Sequence, residues 1–275
     1  MQVARIVRDT PEEYHAVKAL SKSGMDELLQ CPAKFKFMLD NMGSGNNAQT
    51  EAMLCGSLFH AMALEPDAVS SRYKERVHPG TTKAGKEEAE AAKQSGLSLV
   101  RSEMWSACTS MAEAVRKHPL MVTASRASDF MQEVSIYWNE GPVPCKARID
   151  AVATLPMFGL CAIDLKSTQD ASPGAIERSI YQWGYHRQAA WYRRALRYVG
   201  MNAQAFVLVF VEKTPPYVVT AANVSENAQC VALEEIKSAV ELYKECSVSG
   251  VWPGYTTNLV TEIDLPDWAY RRSAA

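Results

Sequence analysis

The chain has 275 residues, of which 47% are hydrophobic and 22% are charged, and its formal net charge is −2. These values are typical of a globular protein with a sizeable core rather than of a disordered chain. A nearly neutral chain has no overall attraction for nucleic acid, so any DNA-binding surface must be a local patch. The longest apolar runs, such as Ala205–Val211, are far too short to span a bilayer, and the N-terminus has no apolar segment typical of a signal peptide.

Seven cysteines are scattered along the chain, and none of them forms a CxxC or CxxxH pair. This spacing argues against a zinc site. An odd number of cysteines without an export signal indicates reduced thiols, so we expect a cytoplasmic protein.

The first 120 residues are predicted to be mainly helical. Thr10, Pro11 and Glu13 have the pattern of a capping box with proline at the first helical position, which predicts a helix start. The other elements predicted here are a short helix capped by Ser23 and ending near Cys31, an amphipathic segment at Ala33–Leu39, a flexible loop at Gly43–Asn47, a helix from Thr50 to Leu64 and a helix over 101–117. Residues 67–100 are polar and ambiguous.

The second half of the chain alternates between strands and helices. The predicted strands are Gln132–Trp138, Val143–Thr154, Gly159–Ser167, Gln204–Glu212 and Tyr217–Ala222, and the predicted helices are Ser172–Tyr181, Trp183–Tyr198 and Ser225–Glu245. This order predicts an α/β fold in which a mixed sheet carries helices on its faces. We expect one domain over 1–275, with a helical elaboration over 1–120, an α/β core over 121–250 and an irregular tail over 251–275.

Two neighbouring strands carry acidic residues within otherwise apolar segments. Because side chains alternate along a strand, Asp164 and Lys166 share one face, whereas Ile163 and Leu165 share the other. On the preceding strand Lys146, Arg148 and Asp150 are expected to share a face opposite Ala147, Ile149 and Ala151. A hairpin around Leu155–Gly159 would bring Asp150, Asp164 and Lys166 together.

This polar face has two interpretations. It can be the solvated side of an antiparallel hairpin, with Lys166 paired to Asp150. Alternatively, helices that follow the hairpin cover it, and the carboxylates then repel each other unless a cation neutralises them. Oxygen ligands suit Mg²⁺ or Mn²⁺, and a neighbouring ammonium can orient water or stabilise charge on a phosphate.

Several segments resemble one nuclease group. "RID…AIDLKS" resembles the PD-(D/E)xK nuclease signature, with Asp150 as the isolated aspartate and Asp164, Leu165 and Lys166 as the DxK element. "GSLFHAMALEP" resembles the GxxxH helix motif of RecB-like and RecE-like nucleases, with His60 in the histidine position. "YHRQAAWY" resembles their QxxxY motif, and "SKSGMDELLQCPAKFKF" resembles their N-terminal element. The motif order is most similar to RecE-like phage-type exonucleases (exodeoxyribonuclease VIII C-terminal domain), from about residue 20 to "WPGY" and "LPDWA" in the tail.

The resemblance implies a restriction-endonuclease-like core and a role for each matching residue. The implied metal ligands are Asp150, Asp164, the Leu165 carbonyl and, as a further ligand or the holder of a water molecule, His60; Glu133 is an additional candidate. Lys166 would orient or activate the attacking water, and Gln188 and Tyr192 would contact DNA or brace the site. Without the resemblance, His60 is a packed helix histidine, and Gln188 and Tyr192 belong to a helix face packed on the sheet.

Some relatives carry an iron–sulfur cluster held by one early cysteine and three late ones. Cys31 matches the early position, but after residue 200 only Cys230 and Cys246 remain. We therefore predict Mg²⁺, with Mn²⁺ as a substitute, and no iron–sulfur cluster.

Local positive charge indicates where DNA would lie. Glu177–Gly200 contains five arginines and one acidic residue. The alternative is a solvated helix face with extended arginine side chains. The predicted DNA-binding residues are Arg187, Arg193, Arg194, Lys34, Lys36, Lys83 and Lys86.

The resemblance implies a 5′→3′ exonuclease that degrades linear double-stranded DNA and leaves a 3′ strand for a single-strand-annealing partner. Relatives form rings around DNA, which implies a homo-oligomer. The alternatives are a restriction-like or structure-specific endonuclease of the same superfamily, and a non-catalytic DNA-binding module.

Overall fold

A six-stranded mixed sheet forms the centre of the fold. In sheet order its strands are β1 (Arg5–Val7), β4 (Met131–Glu140), β5 (Val143–Leu155), β6 (Gly159–Thr168), β7 (Ala205–Glu212) and β8 (Val219–Asn223). Neighbouring strands are antiparallel except β6 and β7, which are parallel. A separate two-stranded parallel sheet pairs β2 (Tyr73–Arg76) with β3 (Ser98–Arg101).

The structure is a computed structural model that describes residues 4–43, 50–266 and 269–270. The helices are α1 (Pro11–Ala16), α2 (Lys22–Gln30), α3 (Pro32–Asp40), α4 (Glu51–Leu64), α5 (Val69–Arg72), α6 (Lys83–Gln94), α7 (Ser102–Lys117), α8 (Pro119–Ser125), α9 (Pro173–Gln182), α10 (Tyr185–Tyr198) and α11 (Glu226–Ser249). Residues 44–47 of the predicted flexible loop, and residues 267 and 268 of the tail motif, lie outside the described residues. In the part of the chain that is described, no helix combines the length and the apolar character needed to cross a membrane.

Helix starts follow the predicted caps with one exception. Thr10 and Glu13 form the predicted capping box of α1, and Thr50 accepts the hydrogen bond that caps α4. The prediction that Ser23 caps the second helix is wrong. The cap is Ser21, whose hydroxyl accepts a hydrogen bond from the Gly24 N–H at 3.1 Å, because the helix begins one residue after it.

Helices cover both faces of the sheet, as predicted. On β7, Phe206 and Leu208 pack with α10 and α11, whereas Val207 and Val209 pack with α4 and α7. A strand buried on both faces needs apolar residues at consecutive positions, which explains the apolar run in β7. Polar groups on the covered part of the sheet are therefore buried, rather than on the solvated side of a hairpin.

The pairing of β4 with β5 is interrupted where Glu133 lies opposite Asp150. The pairs on either side keep the same register, so no residue is inserted. Glu133 has a φ of 51°, in the left-handed region that side chains rarely adopt. The alternation of β5 changes phase here: Ile149 packs with the α10 core and Ala151 with the α4 core. The expectation that Ala151 shares a face with Ala147 and Ile149 is therefore wrong.

Candidate metal centre and active site

Asp150 lies at the centre of the candidate site, on β5 where pairing with β6 ends. The last paired residues are Ala151 and Ile163, and the Asp150 Oδ2 then accepts a hydrogen bond from the Leu165 N–H at 2.7 Å. The carboxylate thus satisfies a backbone donor that the strand ladder leaves open. The His60 Nδ1 is 3.3 Å from the same oxygen. Burial alone would raise the pKa of Asp150, but the His60 charge and hydrogen bond outweigh it, so this pKa is lowered.

Helix α4 brings His60 to the acids from the side of the sheet opposite α10. Leu58 and Phe59 are fully buried, which fixes the helix against the sheet and directs His60 toward Asp150. Burial lowers the pKa of His60, but the Asp150 carboxylate outweighs this effect and raises the pKa to about 9. His60 is therefore a partner of the acidic group, not a histidine packed only among apolar residues.

Glu133 completes a group that can hold a metal ion. One ligand atom each from His60, Glu133 and Asp150 lies within 4.8 Å of the others. Burial, followed by repulsion from Asp150, raises the pKa of Glu133 to about 7, although Arg148 donates a hydrogen bond to its Oε2 at 2.8 Å. A left-handed backbone for a residue other than glycine costs roughly 1–3 kcal/mol. Such a cost is typical of functional sites.

Asp164 and Lys166 occupy the α10 side of β6, as their alternation predicts. The Asp164 Oδ1 accepts a hydrogen bond from the Gln188 Nε2 at 2.6 Å. Its Oδ2 is buried without a hydrogen-bond donor in suitable geometry, although the Lys166 ammonium contacts it as an ion pair. Burial, with a smaller contribution from Asp150, raises the pKa of Asp164 to about 6 despite Lys166. Burial alone would lower the pKa of Lys166, but Asp164 and Asp150 together raise it.

Gln188 and Tyr192 lie one turn apart on α10, which covers the face of β6 that carries Asp164. Both are buried, at 6% and 9% exposure. The Tyr192 ring packs edge-on against Phe206, and its hydroxyl interacts with Gln188. Of the two predicted roles, DNA contact or bracing, the burial favours bracing.

Sequence reasoning missed several residues of the site. Arg148 bridges Glu133 and Asp9, donating to the Asp9 Oδ1 at 3.2 Å, and its position two residues before Asp150 was the available signal. The Tyr185 ring lies close to two ammonium groups, with Lys166 Nζ at 5.1 Å and Lys22 Nζ at 5.8 Å from its centroid. Tyr185 belongs to the same sequence motif as Gln188, so its position near the site was predictable. Lys22 is distant in sequence, and no pattern predicts that it lies near Tyr185.

The three arginines predicted to bind DNA have partners within the protein. Arg187 contacts Asp26 and Glu235, Arg193 contacts the Ala203 carbonyl and Gln229, and Arg194 contacts both oxygens of Glu140. These contacts anchor α10 to α2, α11 and β4. A guanidinium held by buried or half-buried acceptors must give up some of those bonds before it can bind a phosphate. The DNA-binding role of these three arginines stays a prediction.

The four predicted DNA-binding lysines lie on other surfaces. Lys34 lies over the Tyr255 ring at 5.2 Å, Lys36 pairs with Asp40 at 2.6 Å, and Lys83 approaches Glu87 at 3.8 Å. Lys86 is exposed. Exposed lysine pairs of this kind are weak, so these side chains can exchange partners at little cost. The DNA-binding role of the four lysines stays a prediction.

The donor set fits a hard divalent cation. Carboxylate oxygens with one imidazole are ligands for Mg²⁺ or Mn²⁺, and the Asp164 Oδ2 is a buried oxygen that lacks a hydrogen bond. Asp164 lies outside the group of three described above. Its role as a ligand, and that of the Leu165 carbonyl, stay predictions. Among the described residues, those whose ligand atoms lie close enough together to hold the ion are His60, Glu133 and Asp150.

The fold is of the PD-(D/E)xK type. It has the mixed sheet with helices on both faces, and neighbouring strands carry Asp150 and the Asp164–Lys166 pair. The chain belongs to the family described as PDDEXK-like domain of unknown function (DUF3799), whose model matches residues 21–261. Comparison with curated proteins gave no match.

A solved structure agrees with this fold. A crystal structure described as "Putative exonuclease" from Eubacterium rectale is 15% identical and has a TM-score of 0.60 over 96% of this chain and 98% of that chain. The crystal structure of SSO0001 is 14% identical, with a TM-score of 0.31 over 74% of this chain and 89% of that one, which is too low to carry an argument. The first match confirms the predicted fold class.

Proposed function

We propose that this protein is a metal-dependent 5′→3′ exonuclease that degrades linear double-stranded DNA from its ends. The observation that carries the proposal is the group of His60, Glu133 and Asp150, whose ligand atoms lie together, with the buried Asp164 and the Lys166 ammonium on the neighbouring strand β6. Hydrolysis of a phosphodiester requires positive charge near the phosphate and an oriented water molecule. Membership of a PDDEXK-like family supports nuclease activity, and the motif likeness to RecE-like enzymes supports the exonuclease direction.

Each residue of the site has a part in this chemistry. A divalent ion, Mg²⁺ or Mn²⁺, would supply Lewis-acid activation of the phosphate and of a water molecule. Lys166 would place its ammonium beside the phosphate, where it stabilises developing negative charge and orients the attacking water. Gln188 fixes the orientation of Asp164 through its hydrogen bond, and the buried Tyr192 lies one turn further along α10. His60 holds Asp150 in place from α4.

The proposal extends to the biological setting. The product would be a 3′ single strand for a single-strand-annealing protein, in the cytoplasm of a bacterial host or as a phage-encoded function. Subunits would form a ring-shaped homo-oligomer that encloses DNA. Support for this part comes from the motif order alone, and the oligomer is tested by measuring the mass of the protein in solution with and without linear DNA.

The test of activity uses a linear duplex labelled at one 5′ end, and a closed circular duplex of the same sequence. We expect mononucleotides or short products from the 5′ ends with Mg²⁺ or Mn²⁺, no product with a chelator, and an intact circle. Lys166→Ala should lower the rate by about a hundredfold or more, as expected for loss of a positioned charge at the transition state. Lys237→Ala, an exposed lysine on α11, is the matched control and should leave the rate unchanged.

The outcomes separate the three candidate functions. Cuts within the circle would instead establish an endonuclease. DNA binding without cleavage under either metal would establish a non-catalytic module. Full activity of Lys166→Ala would show that the site is wrong. Binding that does not weaken with rising salt would contradict phosphate contacts by Lys34, Lys36, Lys83 and Lys86.

A further inference from the structure

Two aromatic side chains are exposed at the corner between α9 and α10. Tyr181 is 81% exposed and Trp183 is 57% exposed. Large aromatic rings in water are unfavourable unless a partner covers them, and exposed apolar surface next to a candidate site indicates binding. The predicted motif residues do not include either ring, and the proposed chemistry does not use them.

The corner is held in one conformation by hydrogen bonds and ion pairs. Gly184 has a φ of 61°, and a side chain there would come within 2.4 Å of the Arg187 guanidinium. Arg187 is in turn fixed by Asp26 at 2.8 Å, and Lys22 donates a hydrogen bond to the Trp183 carbonyl. The two exposed rings therefore project from a rigid support, so binding to them does not require ordering a loop.

The corner adjoins the candidate active site. The Tyr185 ring contacts both Lys166 and Lys22, and Lys22 donates a hydrogen bond to the Trp183 carbonyl. A continuous set of contacts thus connects Lys166, which would act on the phosphate, to Trp183. The corner therefore lies three side-chain contacts away from Lys166.

The chemistry of the corner suits a nucleic-acid strand. One face of the Tyr181 ring stacks on His186, with 12° between the planes and 6.2 Å between the centroids. Arg178 lies one turn earlier on the same side of α9, is exposed, and interacts electrostatically with the exposed Asp170. Aromatic rings interleaved with cations are typical of surfaces that bind unpaired strands, where bases stack and cations contact phosphates.

We propose that Tyr181 and Trp183 form a stacking platform for unpaired bases of the DNA strand that enters the active site, with Arg178 as a phosphate contact. This inference rests on the proposed nuclease function. Within a duplex each base is already stacked on both faces, so an exposed ring can stack only on a terminal or separated base. The platform therefore favours frayed ends over the interior of a duplex.

The test measures binding of a fluorescently labelled single-stranded oligonucleotide, with a chelator present to prevent cleavage, and of the same oligonucleotide with abasic nucleotides. We expect Trp183→Ala to weaken binding of the normal oligonucleotide by about five- to a hundredfold, the range for loss of one stacked base. Binding of the abasic oligonucleotide should not change. Trp183→Phe should restore most of the affinity, and Phe158→Ala, which removes a 40%-exposed ring at the β5–β6 turn, should have no effect.

The binding experiment can disprove the stacking platform without disproving the proposed nuclease activity. The proposed platform is wrong if wild type and Trp183→Ala bind the normal oligonucleotide equally well. It is also wrong if Trp183→Ala loses as much affinity for the abasic oligonucleotide as for the normal one. A change in oligomeric state in Trp183→Ala would also overturn it, because the ring would then contact a second copy. Cleavage of labelled duplex by the same wild-type sample tests the nuclease separately: if wild type cleaves and Trp183→Ala has an unchanged KM, the platform alone is wrong.

Discussion

Asp164→Asn should make the metal-free protein more stable while it abolishes metal binding and cleavage. Asp164 is only 2% exposed, and burial together with Asp150 raises its pKa to about 6. The ionised side chain is thus less stable in the folded protein than in the unfolded chain, in which aspartate titrates near 3.8. Asparagine has nearly the same shape and cannot ionise, so the substitution removes this unfavourable charge.

The expected magnitude follows from the shift in pKa. A difference of about two units corresponds to roughly 3 kcal/mol at pH 7, where the folded carboxyl is mostly ionised. Part of this gain is lost because Lys166 no longer has an ion-pair partner and the amide presents a donor to it. We therefore expect a net stabilisation of about 1–2 kcal/mol.

The pH dependence has a defined sign. A carboxyl whose folded pKa lies above its unfolded value binds protons more tightly in the folded state, so stability falls as pH rises from about 4 to about 6. Metal-free wild type should show this contribution, and Asp164→Asn should lose it. Above pH 6 the two proteins should differ by a constant amount.

The assay is urea unfolding at pH 7 with a chelator and again with Mn²⁺. Mn²⁺ should stabilise wild type, because an ion that binds only the folded state shifts the unfolding equilibrium, and should not stabilise Asp164→Asn. Asp129→Asn is the control: hydrogen bonds from Thr154 lower the pKa of this exposed carboxyl, so its loss should not stabilise the protein. A metal-free Asp164→Asn protein that is less stable than wild type would refute the reasoning.

Two further predictions concern groups outside the metal centre. Burial lowers the pKa of Lys146 to about 8, so the folded protein loses this proton before the unfolded chain does, and stability should rise between about pH 8 and 10.5 by up to roughly 3 kcal/mol. Urea unfolding across this range should show the rise in wild type and not in Lys146→Met; identical slopes would contradict it. Arg194→Met leaves the carboxylate of Glu140, 8% exposed, without its ion pair, and should destabilise the protein by about 1–3 kcal/mol. The salt dependence of DNA binding should stay unchanged, and a shallower slope would instead restore Arg194 as a phosphate contact.

Local signals predicted most elements of the fold. Hydroxyl caps at Thr10, Thr50 and Ser225, and alternation on the long strands, depend on a few neighbouring residues, so the sequence contains them directly. Strand β1 was missed because three residues are too few to show a period, and it exists only because β4 pairs with it. The region 67–100 was ambiguous for a similar reason: β2 and β3 pair with each other across α6.

The site was predicted less completely, because its irregular parts depend on tertiary structure. Regular alternation places Asp164 and Lys166 correctly, but no local rule predicts the left-handed backbone of Glu133. The arginine-rich segment shows a related limit. The sequence shows that Arg187 is charged. That Asp26 and Glu235 lie close to it follows only from the folded structure.

The departures from regular structure are concentrated at one place, and this argues for a function there. Glu133 has a strained backbone, Asp150 interrupts the strand pairing, and Asp164 keeps a buried oxygen without a hydrogen bond. The left-handed backbone of Glu133 alone costs on the order of 1–3 kcal/mol, against a typical total stability of about 5–15 kcal/mol. A cation bound between these acids would compensate their mutual repulsion, so the departures at Glu133 and Asp150 lie where the proposed metal site would hold its ion.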